Sequence, residues 1–387
     1  MARKEIVVRR SYYLDLLDKN TNSFKKGSGK NIALLGSRKS GKTSVIKEHL
    51  KNAKDVVPIY IDLEKISLNP ENFTIEFIGN IIFHYLRKNF YEYRNFLALG
   101  HLLKIENELK SKNAFSLIKA VENELLKIKP DQKLLVQSAF KFAEALGKDS
   151  SKKFLVVLDN IENLLDLNNF SQIRDVLSIP NFDSENVSYI VASSSIKGSL
   201  ASLKKFECYE LKNFDEKEIF NLAENFFNKN EVNLEKISKE IFSLTNGQPY
   251  VALTLLQKMS DYKNASPKRA FLIELLQKNN SIYNYCNDSL NYYYNRARGQ
   301  TLLKLILKVI ANDELRLSEI AKRIYRSAPV TKSILERLMD VDIIYKKDNR
   351  FYFSDNVLRL WIKFVSSGYE FDELPDDKIL DEAAKQL

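Results

Sequence analysis

Residues 36–43 read GSRKSGKT, a set of residue types whose spacing suits the holding of a phosphate. The run fits G-x-x-x-x-G-K-[ST], in which the glycines let backbone N–H groups approach the anion with no Cβ in the way. The N-terminus of the following helix presents further N–H groups to the same anion. In this reading Gly36, Ser37, Arg38, Lys39, Ser40, Gly41 and Ser44 surround the phosphates. Lys42 reaches the β- and γ-phosphates, and the Thr43 hydroxyl binds Mg2+. Only 11 of 387 residues are glycine, yet Gly27, Gly29, Gly36 and Gly41 fall within fifteen positions of one another. The alternative is a mere turn. Against it, NIALL (31–35) before the loop reads as a buried strand and SVIKEHL (44–50) after it has helical spacing, which is the setting the motif requires.

Such a site needs an acid at the end of a neighbouring strand to hold the metal. KKFLVVLDN (152–160) is a continuous apolar run ending in Asp159, the pattern of a parallel strand buried on both faces. Asp159 is thus the second metal-holding candidate. About 110 residues separate it from the loop, leaving room for a strand inserted between the two motifs. Asn160 follows it, and Glu162 either swings toward the γ-phosphate as a catalytic carboxylate or is a helix-start acid favoured by the helix dipole. Ser193, Ser194 and Ser195 close the strand VSYIVASSS (187–195), as γ-phosphate sensors or as ordinary turn formers. In SLTNGQPYVALTLL (243–256), Gly247 and Pro249 lie between two helices, a turn signal placed where a lid could begin.

The elements that position these groups alternate. VVPIYIDL (56–63) is a strand, residues 75–147 are helical, and strands return at 152–160 and 187–195. This predicts an α/β fold with a parallel sheet. From about residue 215 the chain reads as mostly helical to 343. Residues 300–365 spell a winged helix: a helix at 301–312, a short strand LRL (315–317), a helix at 318–325 with Ser318 as N-cap, a helix at 330–342 led by Pro329, and a hairpin at 343–353. Val330, Ile334, Leu335, Leu338 and Met339 are expected to face the core. Thr331, Lys332, Ser333 and Arg337 are expected to face out toward a major groove, with Lys346, Lys347 and Arg350 on the wing against phosphate. The alternative is a winged helix that binds protein.

The net charge is +10, and residues 296–365 hold 15 Lys/Arg against 8 Asp/Glu, a local excess that suits a polyanion. FDELPDDKILDEAAKQL (371–387) is acidic and reads as a tail or terminal helix. No apolar run approaches the roughly 20 residues of a membrane span, and the N-terminal MARKEIVVRR lacks a signal-peptide core, so a cytoplasmic protein is expected. Cys208 and Cys286 give neither a disulfide framework nor metal-ligand spacing.

The ordered motifs IVVRR…NIALLGSRKSGKTSVI, VVPIYIDL, FLVVLDN, VSYIVASSSIKG, FECYELKNFDEKEI and LTNGQPYVA resemble the archaeal ATPase family, of the STAND branch and close to the AAA+ and origin-recognition ATPases. The resemblance spans about residues 5–365. It implies that Gly36 to Thr43 are the Walker A residues, Asp159 the Walker B acid, Ser193 to Ser195 the sensor region, and Gly247 and Pro249 the G-x-P of a lid near the adenine. The chain departs at Asn160, where the family usually has Glu, which argues against rapid hydrolysis.

The expected architecture is a P-loop NTPase domain over 1–214, a helical lid over 215–295, a winged helix over 296–365 and an acidic tail over 366–387. ATP or ADP with Mg2+ is the expected cofactor, duplex DNA the expected partner, with a protein partner or a homo-oligomer as further options. The expected activity is a slow ATPase coupled to DNA; the alternative is a switch that barely hydrolyses. Metabolic phosphotransfer would leave the winged helix unexplained.

Overall fold

The computed structural model describes residues 10–194, 203–227, 233–261, 266–297 and 299–387. Two compact units emerge. One ends at Leu211 and omits Arg38–Gly41; the other comprises Arg38–Gly41 and Lys212–Leu387. Among the described residues no helix is long and apolar enough to cross a membrane.

The first unit is built on a five-stranded parallel sheet: β1 (Asn31–Leu35), β2 (Val57–Asp62), β3 (Phe154–Asp159), β4 (Val187–Ser193) and β5 (Phe206–Glu210), in the order β2-β3-β4-β1-β5. Every residue of β1, β3 and β4 is buried, as expected of strands covered on both faces by crossover helices. Successive residues alternate between two cores. Ala33, Leu35, Val156, Leu158 and Val191 join the larger core with helices Pro70–Tyr85 and Gln132–Ser150. Ile32, Leu34, Leu155, Val157, Ile190 and Ala192 join the smaller one, which Leu17 and Phe24 of helix Ser11–Lys25 and Val45 and Ile46 of helix Lys42–Asn52 complete. That alternation is the period of two of a pleated strand.

The strand between the two motifs is β4, which lies later in sequence than both. It pairs with β1 on one side and β3 on the other, while β2, which lies between the motifs in sequence, sits at the edge beyond β3. The carboxyl ends of β1, β3 and β4 thus come together, where parallel α/β sheets bind ligands.

The second unit is helical apart from a three-stranded antiparallel sheet of β6 (Leu315–Arg316), β7 (Ile344–Lys347) and β8 (Arg350–Phe353), in the order β6-β8-β7. With helices Gln300–Asn312, Leu317–Arg323 and Ala328–Asp340 this is a winged-helix topology. The wing turns at Asp348 and Asn349, both at positive φ (49° and 61°), the conformation of a two-residue hairpin turn of right-handed twist. The acidic terminal stretch is packed, not free. Phe371 exchanges backbone hydrogen bonds with Leu276 and Lys278 at 3.1 and 2.8 Å, and helix Asp377–Ala384 buries Leu380 and Ala383. Arg269 pairs with Asp377 and Lys278 with Asp372, so part of the acidic charge is spent within the unit.

Three local expectations in the winged helix are corrected. Ser318 is not an N-cap: the helix already starts at Leu317, and Glu319 accepts the Arg316 N–H at 2.7 Å. Thr331, expected outside, is fully buried, while Val330, expected inside, is 43% exposed. Residues 331, 334, 335 and 338 make the i, i+3, i+4, i+7 stripe, and the Thr331 hydroxyl donates to the Ser327 carbonyl at 3.0 Å, so its burial leaves no polar group unsatisfied. Met339 is half-buried at the margin of this stripe.

Candidate functional site: the loop after β1

The chain leaves β1 at Leu35 and enters helix Lys42–Asn52 after six intervening residues. The intervening turn uses positive φ at Lys39 (56°) and Gly41 (98°). At Gly41 no atom lies within 4 Å of where a Cβ would stand, so the position faces open space that a ligand oxygen could enter. Ser40 is buried and Ser44 exposed on the first helical turn.

Lys42 is 6% exposed, and its ammonium spans the loop, donating to the carbonyls of Gly36 and Ser37 at 2.8 and 2.9 Å and to the Ser194 hydroxyl at 3.3 Å. The Gly36 N–H donates to the Ser193 carbonyl at 3.2 Å, extending the β1–β4 ladder into the loop. The pairing of β4 with β1 therefore brings Ser193 and Ser194 to the loop; Ser195 lies outside the described residues.

The Thr43 hydroxyl donates to Asp159 Oδ2 at 2.7 Å, joining the helix start to the end of β3. Asp159 is 2% exposed. A second hydroxyl, that of Tyr60, donates to the same oxygen at 2.7 Å. Burial first, and then the Asp159 carboxylate, push the Tyr60 phenol well up, so it stays a donor at neutral pH. Sequence reasoning missed Tyr60. In sequence it is one more aromatic of an edge strand, and only the register that sets Asp62 opposite Asp159 shows where its ring goes.

Asn160 takes the left-handed conformation (φ 58°) that Asn tolerates, and its amide donates to Asp62 Oδ1 at 2.9 Å. Glu162 is 3% exposed in the 3-10 turn after β3, where its Oε1 accepts the Ser194 N–H at 3.1 Å. The Glu162 carboxylate thus supports the end of β4.

Hydroxyl and carboxylate oxygens are the donors a hard cation takes, and Mg2+ needs only one or two protein oxygens beside water and phosphate. Thr43 and Asp159 fit that pattern. Among the described residues no group of three or more His, Cys, Asp or Glu could hold a metal ion by itself.

Within the second unit, the Arg38 guanidinium carbon lies 4.1 Å from the Tyr292 ring centre, and the Lys39 ammonium 4.2 Å from that of Tyr250. Gln248 donates to the Arg38 carbonyl at 3.1 Å. Gly247 (φ 67°) presses on the Phe214 backbone, and Pro249 opens helix Pro249–Asp261. In the winged helix, Lys332, Lys346 and Lys347 are exposed. Arg337 and Arg350 are half-buried and already make hydrogen bonds within the unit. Arg337 donates to the Ala297 carbonyl at 3.4 Å and Arg350 to that of Glu314, each satisfying a helix or loop end.

A five-stranded parallel sheet with a glycine-containing loop after β1 and an acid at the end of β3 defines a P-loop NTPase fold. No protein-family model matches the chain, and no curated protein matches it. Among solved structures it is similar to a Walker-type ATPase of Pyrococcus abyssi, with 17% identity over 92% of this chain and 97% of that one, at a TM-score of 0.60. The chain therefore shares the fold of that Walker-type ATPase. Weaker likenesses reach RuvB of Thermotoga maritima (11% identity, 94% and 96% covered, TM-score 0.40) and Cdc6p of Pyrobaculum aerophilum (12% identity, 99% and 96% covered, TM-score 0.37). At those scores the likeness is too distant to carry an argument.

Proposed function

We propose that the chain binds ATP with Mg2+ at Gly36–Thr43, turns it over slowly in the cytoplasm, and couples its nucleotide state to a winged helix that engages duplex DNA. The observation that carries this reading is the hydrogen bond between Thr43 and Asp159, which unites the loop's hydroxyl with the strand-end acid. Bound Mg2+ would supply positive charge at the phosphate oxygens, held by Thr43 and, through water, by Asp159. Lys42 is placed to exchange its loop carbonyls for phosphate oxygens, and Ser194, one hydrogen bond away, to respond to the terminal phosphate. Slow turnover is supported by Asn160, which has no carboxylate to activate water, and by the engagement of Glu162 with the Ser194 N–H. DNA binding is supported by the exposed Lys332, Lys346 and Lys347 in a basic region. A second reading, a nucleotide-held switch without turnover, is favoured by the same Asn160.

Steady-state ATP turnover with and without duplex DNA tests this proposal. Slow turnover that rises with DNA and is absent from Lys42→Ala is expected. Equal silence in wild type and variant, with ATP still bound by the wild type, would leave the switch reading in its place.

Tyr60→Phe removes one donor from Asp159 without changing the ring's packing. Groups that orient a metal ligand typically contribute 10–100-fold to metal affinity. The Mg2+ concentration for half-maximal nucleotide binding is expected to rise about tenfold, measured by titrating Mg2+ against a fluorescent ATP analogue. No change would remove Tyr60 from the site.

A further inference from the structure

Helix Leu317–Arg323 ends in a closed turn in which the Arg326 N–H donates to the Ala321 carbonyl at 3.0 Å and the Tyr325 N–H to that of Lys322 at 3.3 Å. This pattern demands a left-handed residue at the position of Tyr325, where glycine is usual and asparagine next. Tyr325 stands there at φ 54°, with 88% of its surface exposed. The same left-handed φ recurs at the helix ends Lys110 and Ser151, so what sets Tyr325 apart is a large aromatic ring that buries almost none of its surface. Strain of this kind, held in place by surrounding hydrogen bonds, concentrates at sites of function.

The surroundings select the ligand. From Ile320 to Leu335 the chain carries Lys322, Arg323, Arg326 and Lys332 and no acid. Arg323 pairs with Asp313 and Lys332 lies 3.8 Å from Glu336, which leaves Lys322 and Arg326 as the flanking cations that no acid pairs with among the ion pairs of the described residues. Residues 325–330 are all exposed and lead into the N-terminus of helix Ala328–Asp340, whose free N–H groups favour a phosphate. An exposed ring between cations, beside a helix start, has the makings of a stacking platform for a base whose backbone the cations hold.

We propose that Tyr325 is a nucleobase-stacking residue, so that this winged helix prefers DNA containing an unpaired or unstacked base over uniformly paired duplex. The proposal rests on the DNA-binding reading above. It differs from that reading in naming the base as ligand and a turn residue, rather than the helix face or the wing, as its reader.

Fluorescence anisotropy with two labelled duplexes, one fully paired and one with a single unpaired base, tests it on the full chain. Wild type is expected to bind the second roughly tenfold more tightly, the range of one base–aromatic stack. Tyr325→Gly should abolish that preference while leaving the melting temperature equal or higher, because glycine suits the left-handed position. Tyr325→Phe should keep the preference. A wild type that binds both duplexes equally, or a Tyr325→Gly variant that retains the preference, overturns the stacking role while leaving DNA binding intact. No binding to either duplex overturns the DNA reading and this one with it.

Discussion

Gly247→Ala is expected to lower the melting temperature of the second unit by roughly 10 °C, the equivalent of about 3–4 kcal/mol for a unit of this size. A Cβ at this glycine would stand 1.9 Å from the Phe214 carbonyl oxygen and 2.9 Å from its carbon. Both neighbours are backbone, so no side chain can rotate away. Relief requires the two segments to separate, which breaks the 2.8 Å hydrogen bond from the Phe214 N–H to the Gly247 carbonyl. That bond contributes about 1 kcal/mol, and the left-handed φ of 67° costs alanine about 1 kcal/mol more. The rest comes from loosened packing where helices Leu234–Thr245 and Pro249–Asp261 meet. Differential scanning calorimetry is the measurement; a shift below about 2 °C would show that the segments part at little cost. The outcome also bears on function, because a steric demand accounts for Gly247 without any ligand.

Lys42→Ala is expected to weaken ATP binding about a hundredfold or more. Two charge-assisted hydrogen bonds from an ammonium to phosphate are each worth about 1.5–3 kcal/mol. Part of that gain is offset, since binding must release the ammonium from the Gly36 and Ser37 carbonyls. Those carbonyls are neutral while the phosphates are charged, so the exchange remains favourable. The variant also deprives two carbonyls and the Ser194 hydroxyl of a donor, a loss of about 1–2 kcal/mol of stability. A modest fall in melting temperature is therefore expected alongside the loss of binding, and Lys42→Arg, which keeps the charge but not its compactness, should fall between.

Legibility in the sequence tracked the physics that fixes each feature. The buried strands β1, β3 and β4 were readable because a strand covered on both faces must be apolar throughout. The loop was readable because it needs glycine, lysine and threonine at fixed offsets. Strand order was not, since nothing in FLVVLD or VSYIVAS states which strand is its neighbour; the placement of β4 between β1 and β3 is a tertiary fact. Tyr60 was hidden for the same reason, its role depending on register with β3. The one-residue phase error at Val330 and Thr331 arose from ranking by hydrophobicity alone, where a threonine returning its hydroxyl to the preceding turn can be buried as readily as valine. Arg337 and Arg350 carry the right charge for a ligand, but their hydrogen bonds to the Ala297 and Glu314 carbonyls depend on tertiary placement that the sequence does not state.

Gly36–Thr43 is proposed to bind a nucleotide together with a metal held by Thr43 and Asp159. Isothermal titration of ATP into wild type and Lys42→Ala, each with and without Mg2+, measures it directly. Wild type is expected to show saturable one-site binding that strengthens with Mg2+ and is lost in the variant. Binding of equal strength in both proteins, or no heat from wild type under either condition, would contradict the proposal.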